Sequence, residues 1–259
     1  MQEDFLKKAQ ENEQTLKRRQ QSMREELRTE ASGGQPDAPL QVRPATRRKK
    51  KWPGLVCCLL VLAVLAVGAW LYGGDVYTLC RFGIRTVHSG IDADHDFLDD
   101  YTDMVRSARS YIETQPEYIS AYFAGGYPPE GQGVCTDVIW RAMDGAGYDF
   151  KAMIDADIQE NASLYPLTNG LPDPNIDFRR VVNLEVYFGR HFISLTTDVS
   201  EIDQWQPGDI VVYDGHVAMV SDRRNGEGRP YIIHHAGYGP FEEDKLDYKP
   251  IRGHYRLPG

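Results

Sequence analysis

Apolar residues recur along this chain in three different rhythms. From Gly54 to Tyr72 the run GLVCCLLVLAVLAVGAWLY holds 19 residues without a charge. That is long enough for a helix to cross a hydrocarbon layer of roughly 30 Å. Beyond it the period becomes helical. Phe97, Tyr101, Met104, Val105, Ala108 and Ile112 share one side of a helix expected over Phe97–Thr114. Cys135 to Met143 reads as a second helix, with Val138, Ile139 and Ala142 on one face and Gly145 and Gly147 ending it. Lys151–Ala162 and Val181–Phe192 read as two more. The last third is strand-like. Ile210–Tyr213, His216–Ser221, Tyr231–His235 and Ile251–Leu257 are short runs rich in Val, Ile and Tyr, parted by PGD, DG, RRNGEG and GYGP. Helices first and an antiparallel meander last predict an α+β domain.

This pattern divides the chain into a charged tail and linker (1–50), one transmembrane helix (53–73), an acidic juxtamembrane linker (74–96) and an outer domain (97–259). RRKKKW, Arg47 to Trp52, precedes the apolar run, and basic residues favour the cytoplasmic side. The expected location is therefore a single-pass membrane protein with a cytoplasmic N-terminus and an extracytoplasmic outer domain. A cleaved signal peptide fits less well, because the run starts some fifty residues in. The tail carries thin apolar spacing at Phe5, Ala9, Leu16, Met23 and Leu27. It reads as solvated and partly helical, with a short coiled coil as the alternative and a cytoplasmic partner as its use.

Charge sharpens this division. The first 51 residues hold 13 Lys and Arg against 8 Asp and Glu, out of 29 and 38 in the whole chain, so the remainder is strongly acidic. An acidic body excludes nucleic acid as the main partner, since phosphate binding needs clustered cations. No Walker or dinucleotide motif appears, and no cofactor is expected. The four cysteines form no CxxC pattern. Cys57 and Cys58 lie in the apolar run, and a Cys80–Cys135 disulfide is conceivable.

Candidate chemistry centres on GQGVCTDVIW, Gly131 to Trp140. Cys135 follows a Gly-rich loop and heads a helix, whose free N–H groups and positive dipole end stabilise a thiolate and an oxyanion. The base is His216, at the start of a strand after an Asp-Gly turn. His234 or His235 in YIIHHAG would orient it. Neighbouring strand residues face opposite ways, so only one can. A negative Asp137 would oppose the thiolate, so its side chain is expected to point away. Tyr122, Asp137, Arg179, Arg180 and His235 are the remaining candidates for oxyanion or substrate binding, with the two arginines suited to carboxylates. No metal is expected at this site. In IDADHDFLDD the acids Asp92, Asp94, Asp96 and Asp100 suggest a calcium loop, but Phe97 stands where that loop has glycine, so a solvated acidic linker is the competing reading.

These residues resemble a known family. Tyr122 with Gly125 and Gly126 (Y-x-x-G-G), Cys135 opening a helix, PGDIVVY followed by GHVAMV, and IIHHAG together look like the NlpC-type papain-like cysteine peptidases and the related CHAP amidases. DDYTDMV, GGYPPEGQGVCTDV, DPNIDFRRV and IRGHYR resemble an uncharacterised bacterial domain-of-unknown-function family numbered 1287, grouped with those peptidases. The resemblance covers about residues 92–257. It implies a papain-like domain with N-terminal helices packed on a small antiparallel sheet. It implies cell-wall hydrolysis by a Cys135–His216–His234 triad, with peptidoglycan peptide as substrate. The chain departs from the peptidases in reading Val-Cys-Thr-Asp around Cys135, where Asp-Cys-Ser is usual. Alternatives of other classes are a non-catalytic wall-binding or scaffolding domain and a thiol acyltransferase.

Overall fold

The computed structural model of the protein describes residues 17–25 and 53–259. Two compact units divide the chain, Met1–Val56 and Cys57–Gly259. Of the first, residues 17–25 are helical and exposed. The expectations for the remainder of the 1–50 tail and linker and for the basic run before Trp52 lie outside the described residues.

The first long element, α1, runs Pro53–Phe82, 30 residues. It continues well past the expected end at residue 73, so part of the expected juxtamembrane linker is helix. Many of its described apolar side chains are exposed, with Leu60, Leu62, Val64 and Leu65 at 60–70%. A helix that is apolar all round and uncovered has no packing partner of its own. Among the described residues no helix is long and apolar enough to cross a membrane. The side chains of 53–55, 67 and 69–72, within the expected span, are outside them.

The compact part of the second unit is α+β. Helix α2 spans Asp100–Glu113, α3 Cys135–Gly145, α4 Phe150–Asn161 and α5 Val181–His191. The expected start of α2 at Phe97 is corrected. Asp92, Asp94 and Asp96 accept backbone N–H groups of Asp96, Phe97 and Leu98. These local turns compete with the helix, and Phe97 is left outside it at φ +77° and 95% exposed.

The strands are β1 (Glu117–Tyr118), β2 (Gln132–Gly133), β3 (Ile193–Ser194), β4 (Ile210–Tyr213), β5 (His216–Arg224), β6 (Pro230–Ala236), β7 (Gly239–Glu243) and β8 (Ile251–Arg256). β1 and β2 form a small parallel pair. The six others form an antiparallel sheet in the order β3-β8-β4-β5-β6-β7. The expected meander holds from β4 to β6. β7 falls where only a turn was expected, and β8 returns across the sheet to lie beside β4.

The sheet is buried on both faces. Ile210, Val212, Val217, Met219 and Ile233 pack against the helices. Val211, Tyr213, Ala218, Val220 and Ile232 pack on the other side with Trp205 and Leu246. This double burial is why β4 reads as the unbroken apolar run IVVY.

Candidate functional site

Cys135 occupies the first turn of α3 and is 4% exposed. Its sulfur faces three backbone donors, the N–H groups of Val217, Thr136 and Cys135 itself. Burial nevertheless outweighs them and pushes the thiol up to about 11. Cys135 and the exposed Cys80 are both free thiols, so the disulfide does not form.

His216 opens β5, next in sequence to the Val217 that caps the Cys135 sulfur. Pleating puts His216 and His234 on the face of the sheet away from the helices, with Val217 and His235 on the helix face. His216 Nε2 lies 2.8 Å from His234 Nδ1, and His234 Nε2 lies 2.8 Å from Glu243 Oε1. Tyr238 donates its hydroxyl to the same Glu243 oxygen at 2.7 Å, and Lys245 reaches Oε2 at 3.1 Å. No direct hydrogen bond joins Cys135 to His216 among the described residues, and Nδ1 of His216 has no protein partner there. Such contacts are often long before substrate binds.

Burial drives the His216 imidazole down to about 3, helped by the unfavourable coupling of its charged form to His234 and by the positive charge of Lys249. Burial also lowers His234, against the pull of Glu243. Tyrosine rings complete the surroundings, with Tyr213 6.1 Å from the His216 ring and Tyr238 6.2 Å from that of His234. Tyr248 sits 6.1 Å from the His216 ring and 5.9 Å from that of His234, measured between centroids. The Cys135 thiolate contributes to raising the hydroxyl pKa of Tyr248, as it does for Tyr118 on β1, so both rings lie in the field of the sulfur.

The structure joins His216 to His234 and leaves the other candidates elsewhere. His235 points to the helix side, between the rings of Tyr111 and Tyr118, so it neither orients His216 nor faces the same space. The oxyanion role expected of Tyr122 is corrected: it is 58% exposed and its hydroxyl donates to Asp173. Asp137 is no substrate ligand. It is fully buried, accepts the Val134 N–H at 2.7 Å and the Trp140 indole N–H at 2.6 Å, and is gripped by Arg179. Arg179 is thereby removed from substrate binding as well. Arg180 donates to the Pro166 carbonyl at 2.6 Å on the loop surface. That loop is pinned by its own side chains, with Asp173 holding Asn175, and Asn175 holding Gly125.

At the acidic loop, carboxylate oxygens of Asp92, Asp94 and Asp96 lie within 4.8 Å of one another. Asp100 belongs elsewhere, bonded to Tyr148 and to the Ala93 N–H. His254 and Arg256, on β8, converge on the buried Asp209 of the PGD turn and are structural.

Residues 105–257 match the family described as Domain of unknown function (DUF1287). The chain belongs to that family. It is also similar to the uncharacterised protein YijF of Escherichia coli (strain K12), 38% identical over 148 residues that cover 54% of this chain and 72% of YijF. No solved structure matches the chain. Everything from Cys135 through His216 and His234 to Glu243 lies inside the family match, whereas Asp92, Asp94 and Asp96 precede it.

Glu243, Tyr118 and Tyr248 are not among the residues the sequence pattern singles out. Glu243 sits on β7, whose GPFEE lacks the Val and Ile signature of the other strands. The signal available was its place one short turn after IIHHAG.

Proposed function

We propose that this protein is a membrane-anchored thiol hydrolase of papain-like, NlpC-type architecture that cleaves peptide or amide bonds of peptidoglycan outside the cell. The observation that carries this reading is the buried His216–His234 hydrogen bond at the start of the strand whose Val217 N–H faces the Cys135 sulfur. The resemblance to wall hydrolases supplies the substrate class. The anchor rests on the uncharged 54–72 run and the basic residues before it.

With Cys135 a thiol and His216 neutral at rest, chemistry begins with proton transfer. The Sγ proton passes to His216 as sulfur bonds to the substrate carbonyl carbon, and the carbonyl electrons move onto oxygen. N–H groups at the head of α3 stabilise that oxyanion. The imidazolium then protonates the departing nitrogen as the C–N bond breaks, leaving a thioester. Water gives a proton to His216 and its oxygen to the carbonyl carbon. The C–S bond breaks and the sulfur recovers the proton. Hydrogen bonding to His234 keeps the His216 ring oriented throughout.

The test is the full chain in detergent micelles with purified peptidoglycan, beside Cys135→Ala. New amino or carboxyl ends should appear only with Cys135 present. Equal release by both proteins rejects Cys135 as nucleophile. The deep burial of Cys135 favours a second reading, a wall-binding domain without catalysis. Retention of peptidoglycan fragments by both proteins, without cleavage by either, is its outcome.

A further inference from the structure

We infer that Glu243 is a positioning residue which fixes the tautomers of both histidines, leaving the basic lone pair of His216 on Nδ1. The functional meaning of this inference rests on the proposed Cys135–His216 pair; the proton order itself does not.

An ionised carboxylate only accepts hydrogen bonds. Glu243 stays ionised: burial alone would raise its pKa, but hydrogen bonds from His234, Tyr238 and Lys245 bring it below the ordinary value. The 2.8 Å contact with Glu243 therefore places a proton on His234 Nε2. Burial keeps His234 neutral, so that proton is its only ring proton and Nδ1 is a lone pair. The 2.8 Å contact between the rings then has one possible polarity, with His216 Nε2–H donating to His234 Nδ1. His216 is neutral too, so its own Nδ1 is unprotonated. That is the ring nitrogen without a protein partner among the described residues, and the one able to take the thiol proton.

Reversing the chain would put a proton on His216 Nδ1 and disable the base. Groups on two sides hold Glu243 and the rings in the stated order. Lys245 and Tyr238 secure the carboxylate from its own side of the sheet. Lys249 and Tyr248 approach the rings from the segment before β8, and Lys249 disfavours protonation of either ring. When substrate draws a proton onto His216, Glu243 also balances the charge through His234, a role that an uncharged residue lacks.

The experiment is nitrogen NMR of the histidine rings in the full-length protein in micelles, for the native chain, Glu243→Gln and Glu243→Asp. In the native protein His216 should show a bare Nδ1 and a protonated Nε2, and His234 the same. Glu243→Gln keeps the shape but offers both donor and acceptor, so the two ring polarities should mix. Iodoacetamide modification of Cys135 at pH 8 should then slow tenfold or more, with Glu243→Asp restoring part of it. A native His216 carrying its proton on Nδ1 overturns the inference without any variant. So do unchanged tautomers in Glu243→Gln. If the tautomers are as stated but peptidoglycan is not cleaved, the proposed hydrolysis fails and this assignment stands. Cys135-dependent cleavage with tautomers indifferent to Glu243 does the reverse, sparing the hydrolysis and rejecting the role of Glu243.

Discussion

Arg179 grips Asp137 with two parallel hydrogen bonds, Nε to Oδ1 at 2.9 Å and Nη2 to Oδ2 at 2.8 Å, with both side chains shut off from water. Asp137 nonetheless keeps its charge in the pair, and that charge adds to burial in raising the thiol of Cys135 two residues away. Its second oxygen caps Val134 at the head of α3, so the pair braces the turn that carries the nucleophile. Removing one partner of a buried ion pair leaves an uncompensated charge. Arg179→Met should cost about 3–5 kcal/mol and lower the melting temperature by roughly 10 °C. Thermal melts followed by circular dichroism read the effect, and a change within error contradicts the bracing role.

The acid limb of stability should carry the mark of His216. Its folded-state pKa, about 3, lies below the ordinary 6.5. The unfolded chain therefore binds the proton first as pH falls. Stability contributed by the neutral ring is present above 6.5 and lost progressively down to about 3, by at most about 1.4 kcal/mol per pH unit. Urea titrations from pH 7 to 4 should show a shallower decline in His216→Gln than in the native protein.

Cys135 should behave oppositely with base. Its folded value near 11 exceeds the ordinary 9.0, so native stability falls between those values as pH rises. Iodoacetamide modification in a Cys57→Ser, Cys58→Ser, Cys80→Ser background isolates this thiol. Without substrate, the rate should keep climbing beyond pH 9 in the folded protein and level off near 9 in urea. A plateau near pH 7 in the folded protein would show a thiolate already formed at rest.

Gly133, two residues before Cys135, lies where a side chain has no room. A Cβ there would stand 1.9 Å from the Tyr111 hydroxyl and 3.1 Å from Asp137 Oδ2. Gly133→Ala should destabilise the domain by about 1–3 kcal/mol through overpacking. It should also disturb the α3 head more than Gly131→Ala, which is strained in φ but meets nothing. Denaturant midpoints of the two variants make the comparison.

Most of the fold was legible because its pattern is local. The helices from α3 to α5 and the strands β4, β5, β6 and β8 lie within a few residues of their expected ranges, since 3.6-residue and 2-residue rhythms are written along the chain. His216 and His234 were likewise visible from alternation. The rest depends on contacts between distant residues. Nothing near Asp137 announces Arg179, 42 positions later. Glu243 is on a strand with an acidic, aromatic composition. Tyr122 drew notice through Y-x-x-G-G, yet it is Tyr118, four residues earlier, that shares the field of the thiol.

The place of β8 has a consequence for how the molecule is made. The last strand of the chain is an interior strand of its sheet, hydrogen-bonded to β3 on one side and β4 on the other. A ribosome delivers Cys135 long before Ile251–Arg256, so β3 has no partner and β4 an open edge until β8 has been made. Assembly of the sheet waits on β8. A stop codon at Ile251 would remove not a frayed end but the seam that joins β3 to the body of the domain.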